Sequence, residues 1–348
     1  MAQAQVSELA QTSPRPMSAG SMAAPARKGA ATSGRFYSGD GLWCLMVVAV
    51  QCGVQPFLAK SCILPETPTS SLVLGGELFK VLTCVTMVLC DGASGRRALF
   101  NWNLRHSLLA AGLPSLTYLV QNFCVQTAYQ ELDGVVFNVL NQSKALFTAL
   151  FAFLIMGKQQ SRIQCAALTM VTLAGILVSL PQGRATNGAV ERTGGSTLGI
   201  VCALAAATLS GLGSGITEWT LQRGDRNTYL LSAELAIIGT LIILGSLVLG
   251  LTVDSEVWRR EGLFARWRLR TLVPVVTQAV SGILVGVITK VAGGVQKVLA
   301  TLCGLILTCV LQQLLYGGVP PLSVCASVPL VAAGIYLHAK YPPKRGRD

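Results

Sequence analysis

The chain has 348 residues, of which 52% are hydrophobic and only 12% charged, with a mean hydropathy of +0.57. Soluble domains carry about 25% charged residues, so half the usual surface charge is missing and a water-soluble enzyme is excluded. The formal net charge of +12 comes from 27 basic residues scattered through short connectors, without the clustered basic face that nucleic-acid binding needs.

Residues 1–40 are rich in Ala, Ser, Gly and Pro, with Arg15, Arg27, Lys28 and Arg35 against Glu8 and Asp40. Such a segment cannot build a core and is expected to be a disordered tail. It has no continuous apolar stretch, so it is no secretory signal, while its basic, acid-poor character would also fit a transit peptide. Ten apolar stretches follow, at 42–59, 70–90, 107–128, 134–156, 163–180, 197–221, 229–253, 271–290, 294–316 and 322–338. Each is close to the ~20 residues that cross a bilayer as helix. The expectation is an all-α polytopic membrane protein whose ten-span domain covers 41–340, with a short basic tail at 341–348.

Ten crossings put both termini on one side. The tails and even-numbered connectors hold 15 Lys and Arg, and the opposite side holds 8, five of them in the single connector 254–270. This bias predicts cytosolic termini. The 254–270 connector carries Trp258, Phe264 and Trp267 among Arg259, Arg260, Arg266, Arg268 and Arg270. It reads as an interfacial segment whose arginines sit among lipid headgroups.

A faint duplication is visible, since Leu173-Ala174-Gly175-Ile176 closes the fifth span and Ala332-Ala333-Gly334-Ile335 the tenth. Two five-span halves, about 41–181 and 197–340, would have opposite orientations because five is odd. That is the inverted-repeat plan of many secondary transporters, with substrate at the midplane between the halves.

Ten of the eleven cysteines sit in or at apolar runs and no C-x-x-C occurs, so neither a metal nor a disulfide framework is expected. The one N-x-S/T triplet starts at Asn141 inside an apolar run, out of reach of glycosylation. His106 and His338, the only histidines, lie at span ends, and no paired carboxylates occupy a span. Catalysis and a cofactor are therefore not expected.

Four lysines fall inside spans: Lys80, Lys144, Lys290 and Lys297. A lysine at a helix centre costs about 2.5–3.5 kcal/mol on insertion scales and persists where it faces a cavity or a partner. Lys80 has Glu77 three residues before it, an ordinary helical pair. Lys144 and Lys290 have no acid within a turn. Lys290 and Lys297, near span ends, could instead snorkel to the interface. Uncompensated positive charge in a polar-lined cavity suits a phosphate-bearing ligand. Around Lys144, the amides and hydroxyl of Asn138, Asn141, Gln142 and Thr148 cover one face of the fourth span and its flank, and Tyr118, Gln121 and Asn122 make a polar stripe on the third. Such groups line cavities, although amides also glue helices together in lipid. Glu218 and Glu234, the remaining acids within spans, are expected to have partners near helix ends.

These segments carry a resemblance. Tyr118-Leu119-Val120-Gln121-Asn122, Leu132-Asp133-Gly134-Val135-Val136-Phe137, Asn141-Gln142-Ser143-Lys144, Phe147-Thr148-Ala149 and Ser161-Arg162-Ile163-Gln164 resemble the central signature of nucleotide-sugar transporters. The branch is that of the CMP-sialic acid and UDP-galactose transporters in the drug/metabolite transporter superfamily. Gln51 to Pro56, Gly282 to Gly286 and Ala292-Gly293-Gly294-Val295-Gln296-Lys297 look most like plant endoplasmic-reticulum members that carry UDP-N-acetylhexosamines. The resemblance implies ten spans, cytosolic termini, and exchange of a cytosolic UDP-sugar for lumenal UMP. It also implies residence in the endoplasmic reticulum or Golgi membrane. Its span-four lysine corresponds to Lys144, its span-three Tyr and Asn to Tyr118 and Asn122, and its span-eight lysine to Lys290. Phe137 stands where the sialic-acid branch has Tyr, and Ser232 and Ala236 where it has Asn and Tyr, which points away from CMP-sialic acid.

The substrate-contacting set expected is thus Lys144, Lys290, Tyr118, Gln121, Asn122, Phe137, Asn141, Thr148, Ser232 and Lys297, with UDP-sugar, UMP and membrane lipid as partners. The other reading is a plastid sugar-phosphate or phosphoenolpyruvate exchanger of the same superfamily, which the basic tail would suit. Gly211, Gly213 and Gly215 admit close helix contact, within the chain or between copies.

Overall fold

The computed structural model describes residues 39–64, 66–132, 134–179, 196–224, 226–252, 254–316 and 322–341. The N-terminal tail, nearly all of the 182–196 connector and the last seven residues lie outside them. Among the described residues there are helices and turns and no strand. In chain order the helices are α1 (Gly39–Cys62), α2 (Thr69–Cys90), α3 (Gly92–Phe100) and α4 (Leu104–Ser107), which runs through a π-turn at Leu108–Gly112 into α5 (Leu113–Glu131). Then come α6 (Gly134–Asn141), α7 (Lys144–Met156), α8 (Arg162–Ser179), α9 (Thr197–Gln222), α10 (Thr228–Val248), α11 (Ser255–Glu261), α12 (Leu272–Val291), α13 (Gly294–Tyr316) and α14 (Leu322–Lys340).

Ten segments among the described residues are long and apolar enough to cross a membrane, at nearly the positions read from hydropathy. The largest departure is the seventh, expected to reach 253. It stops at Val248, where the Leu251 N–H folds back to the Ser246 carbonyl at 2.9 Å. Large apolar side chains such as Leu82, Leu154, Leu241 and Leu314 are more than 60% exposed. A soluble protein could not show such a surface to water, whereas hydrocarbon covers it without cost.

The fourth span corrects an expectation. It is two helices, α6 and α7, separated at Gln142 and Ser143. Here the ladder tightens: Ser143 N–H donates to Leu140 O at 3.1 Å and Ala145 N–H to Gln142 O at 3.3 Å, while the Ser143 hydroxyl takes a second bond to Leu140 O at 2.6 Å. Lys144 therefore opens a half-helix near mid-span instead of lying within a continuous one, the arrangement that transporters use at their binding sites.

The dominant helix pairs are α5 with α9, α8 with α14, α1 with α13, α7 with α9, α2 with α10, and α12 with α1. Numbered by span these are 3–6, 5–10, 1–9, 4–6, 2–7 and 1–8. Exchanging span n with span n+5 turns 3–6 into 8–1 and 4–6 into 9–1, and leaves 2–7 and 5–10 unchanged. The contacts thus have the pattern of two interlocked five-span halves. Gly334 lies where a Cβ would come within 2.6 Å of Val171 Cγ2, and Gly175 where one would meet Gln142 Oε1 at 2.5 Å, so both copies of the duplicated tetrapeptide sit at close contacts. The α9 glycines are used inside the chain. Gly211 backs onto Phe147 and Thr148, Gly215 onto Phe151, and Gly213 onto Thr117 and Tyr118.

The 254–270 connector is docked on α2 through Trp267, and its arginines are exposed. Trp267 Nε1 donates to Ser71 Oγ at 2.9 Å, its ring lies over Gly75, and Phe264 meets it edge-on at 5.1 Å. Arg266 pairs with Glu261 at 2.7 Å, so that arginine is spent on an acid of its own segment. Arg260 stays 80% exposed.

Candidate functional site

α7, α9 and the start of α13 meet because α9 offers small residues to both. Gly211 lets the α7 backbone approach at Phe147 and Thr148, and Ser214 lies against Gly294, the first residue of α13. A Cβ on Gly294 would meet Ser214 Oγ at 2.9 Å and Thr148 Cγ2 at 3.1 Å. Lys144 stands one turn before Thr148 on α7, and Lys297 one turn after Gly294 on α13. The two side chains are partly buried and close enough for their charges to repel. Neither ammonium makes a hydrogen bond or an ion pair among the described residues. Like charges brought together in a poorly screened interior call for an anion to offset them.

Of the other expected residues, Thr148 lies at this junction, and Tyr118 and Gln121 stand on α5, which packs along α9. Tyr118 packs on Gly213 of α9 with its hydroxyl toward Thr217. Thr148 is buried and its hydroxyl is spent on the Lys144 carbonyl at 2.7 Å, so its methyl faces Gly294. Gln121 on α5 has a buried Oε1 with no hydrogen-bond partner among the described residues, and Ser214 Oγ is in the same condition. An unpaired buried acceptor costs about 1–3 kcal/mol, so each is a group that a ligand could satisfy. Ser214 was not among the expected residues. Its signal is a contrast: Thr208, Thr217 and Thr220 on the same helix each send their hydroxyl to their own i−4 carbonyl, and Ser214 does not.

The remaining residues have these surroundings. Phe137 is 2% exposed in an apolar cluster with Ala128, Leu132 and Ala203, so it packs α6 against α5 and α9 away from the lysines. Gln142 leans on Gly175 and donates to Ser179 Oγ at 3.5 Å; the break separates it from the Lys144 face, and it serves the contact with α8. Asn138 and Asn122 are exposed, and Asn141 is partly buried. Ser232 packs on Gly286 where α10 crosses α12. Lys290, in the last turn of α12, donates to the Arg226 carbonyl at 2.9 Å, which ties down the α9–α10 connector.

The acids within spans are paired. Lys80 Nζ lies 2.5 Å from Glu77 Oε1, as the spacing of three implies. Glu234 takes Arg226 at 2.5 Å and Trp102 Nε1 at 2.9 Å. Glu218 is 2% exposed, accepts from Lys158 Nζ at 2.5 Å, and accepts the Gly294 N–H at 2.9 Å. No cluster of three or more His, Cys, Asp or Glu suited to a metal occurs among the described residues, and all eleven cysteines are free.

Comparison with known proteins gives the family. A family model described as nucleotide-sugar transporter matches residues 44–339. The chain is 36% identical over 299 residues to the UDP-N-acetylglucosamine transporter ROCK1 of Arabidopsis thaliana, covering 85% of this chain and 91% of that one. It is 26% identical to the UDP-N-acetylglucosamine transporter of Rattus norvegicus, over 80% and 87% of the two chains. To the UDP-N-acetylglucosamine/UDP-N-acetylgalactosamine transporter nstp-4 of Caenorhabditis elegans it is 24% identical, over 79% and 85%. A crystal structure with 14% identity superposes with a TM-score of 0.61 over 85% of this chain and 94% of that one, which speaks for the fold alone. With ten membrane-crossing helices and a family match running from the first span to the last, the chain belongs to the nucleotide-sugar transporters.

Proposed function

We propose that the protein exchanges a UDP-N-acetylhexosamine for UMP by alternating access, carrying the sugar nucleotide from cytosol to the lumen of the endoplasmic reticulum or Golgi. The observation that carries this reading is the pair Lys144 and Lys297, two partly buried ammonium groups with no ion pair or hydrogen bond among the described residues, in a chain similar along 85% of its length to a UDP-N-acetylglucosamine transporter.

UDP-sugar and UMP share a uridine and a phosphate, so one site serves both. The lysines offset phosphate charge as point charges on flexible stems. The Gln121 carbonyl oxygen, which has no donor among the described residues, would accept from a nucleoside or sugar N–H or O–H, and Tyr118 stands one turn before it on α5. No covalent step is involved. Binding energy is used to compensate a charged cavity that would otherwise resist burial, and exchange follows because an empty site keeps two facing positive charges uncompensated. The bias of 15 basic residues against 8 supports cytosolic termini.

Proteoliposomes preloaded with UMP should take up UDP-N-acetylglucosamine several-fold faster than empty ones, and equal rates would remove the exchange reading. Competition of a panel of UDP-sugars against labelled UMP uptake identifies the sugar. A tag at either terminus should be reached after selective plasma-membrane permeabilisation, and a tag within 182–196 should be protected.

A further inference from the structure

At one end of the bundle the Glu218 carboxylate links its own helix α9 to the connector after α7 and to the start of α13. Gly157, at φ 66°, stops α7 in a left-handed turn that a residue with a Cβ adopts at a cost. The Lys158 N–H then closes back on Ala152 O at 3.3 Å, which aims the Lys158 side chain across the end of the bundle. Lys158 Nζ reaches Glu218 Oε1 and Gln222 Oε1 on α9, both at 2.5 Å. The second oxygen of Glu218 accepts the Gly294 N–H that begins α13, at 2.9 Å. Gly293, at φ 97°, lies so near that a Cβ there would meet Glu218 Oε1 at 2.7 Å. Lys297 follows in the next turn, its N–H on Gly293 O at 3.3 Å, and it feels the Glu218 charge.

One of the two bonds of Glu218 crosses between the halves. Lys158 belongs to the first half, Glu218 and Gly294 to the second. Beside them Arg223 donates to the Met156 carbonyl at 2.9 Å, again from second half to first, and Gln222 donates to Thr289 O at 2.8 Å. The other end of the fourth span is built differently: α6 packs chiefly on α8 and α9, whereas α7 also packs on α13. The fourth and ninth spans therefore meet chiefly at the end where Glu218 sits.

We propose that Glu218 is a gating and positioning residue. With Lys158 it latches the terminus-side mouth of the site, and through Gly294 it sets the turn that presents Lys297. This rests on the alternating-access reading given above. A site that opens to either face must release what ties its two halves together at the face that opens, and the Lys158–Glu218 ion pair is one of those ties, with the Lys158–Gln222 and Arg223–Met156 hydrogen bonds beside it. Glu218 is 2% exposed and is the fixed member of the pair. Lys158, with 29% of its side chain exposed, is the partner free to swing out into water, where its charge is solvated.

The test uses full-length protein in sealed vesicles of known orientation, with labelled UMP presented from either side. Glu218→Gln keeps the shape and an acceptor for the Gly294 N–H but removes the ion pair. Lys158→Gln removes it from the exposed connector and keeps the test alive should the α9 variant fold poorly. A destabilised latch shifts population toward the state open at the terminus side. The expected result for both variants is a KM for UMP about threefold to tenfold lower from that side and correspondingly higher from the other, with thermal stabilisation by UMP retained. The exchanged pair Lys158→Glu with Glu218→Lys should recover part of the wild-type asymmetry, but not all, because the Gly294 N–H has lost its acceptor. Unmoved KM values on both sides overturn the proposal, and so does a rise on both sides with lost thermal stability, which marks a merely structural pair. If wild-type protein shows no stabilisation by UMP, the substrate reading has failed and not the latch.

Discussion

Two lysine sites in this membrane bundle differ in what surrounds the charge. At the junction of the second, seventh and eighth spans, Lys80 is paired with Glu77 at 2.5 Å, Gly239 and Gly282 lie against the two side chains, and nothing is left to offset. At the junction of the fourth, sixth and ninth spans, Lys144 and Lys297 are close enough for their charges to repel, and the acid near Lys297, Glu218, is already held by Lys158 and Gly294. The two regions have the same residue type in the same low-dielectric setting and opposite completeness. A completed pair is part of the fold, and an incomplete one waits for a ligand.

The sharpest way to break this comparison is to delete each lysine. Lys144→Ala leaves no orphaned acid, so unliganded thermal stability should be unchanged while UMP binding weakens by about 10- to 100-fold, as expected for charged hydrogen bonds worth about 1.5–3 kcal/mol. Lys144→Arg should keep part of the activity, since the charge survives but a planar fork replaces a compact ammonium. Full stabilisation by UMP in Lys144→Ala would move the phosphate role away from this residue. Lys80→Ala is expected to do the reverse. It strands Glu77, whose side chain is 18% exposed, at a cost of about 2–3 kcal/mol after discounting the ~3–5 of a fully buried pair. Thermal unfolding checks this: Glu77→Gln with Lys80→Met should restore the loss, and UMP affinity per folded molecule should stay at the wild-type value.

How much of this contrast the sequence discloses depends on distance along the chain. Glu77 and Lys80 are three apart, so one helix turn makes the pair visible. The pair of Lys158 and Glu218 spans sixty residues and needs the Gly157 turn and the α7–α9 crossing to form, so Lys158 reads as one more connector charge. The span ends are legible because hydropathy changes abruptly at them. The break at Gln142 and Ser143 is not, since neither proline nor glycine marks it and the tightened turn is held by the Ser143 hydroxyl. For the same reason the polar stripe from Asn138 to Thr148, read as one face and its flank, divides there between the α8 contact and the Lys144 junction. Lys290 looked as uncompensated as Lys144 because its acceptor is a main-chain carbonyl, which no side-chain pattern reports.

The duplicated Ala-Gly-Ile segments sharpen the comparison between halves at a smaller scale. Gly334→Ala would press a methyl onto Val171 Cγ2 at 2.6 Å and Ala167 O at 3.1 Å. Neither the branched side chain nor the backbone can give way, so a loss of about 1–3 kcal/mol in thermal stability is expected from overpacking. Gly175→Ala meets instead the amide end of Gln142, which can rotate aside, and should cost less than about 1 kcal/mol. Equal losses would mean that the two copies are packed alike and that the Gln142 contact is as stiff as a helix backbone.

The smallest effect belongs to a pair that is complete and also wet. Glu261, outside the spans, receives two hydrogen bonds from Arg266 at 2.7 and 2.9 Å, and these bonds hold its carboxyl below the ordinary value of 4.5. A group whose folded value is depressed adds stability that is fully present above the unfolded value and is lost only as pH falls through the folded one. The window therefore lies below about 4.5, and between about pH 5.5 and 8 the pair should contribute nothing that varies. Because both side chains are open to solvent, the contribution is also slight, as for other exposed pairs. Unfolding of wild type and Glu261→Gln followed from pH 8 downward should give parallel curves that converge only in the acid range, with UMP exchange at neutral pH unaffected. A divergence near neutral pH would mean that Arg266 has another role, one that sets the 254–270 segment beside the lysine junction as an incomplete site and not beside the Lys80 pair as a finished one.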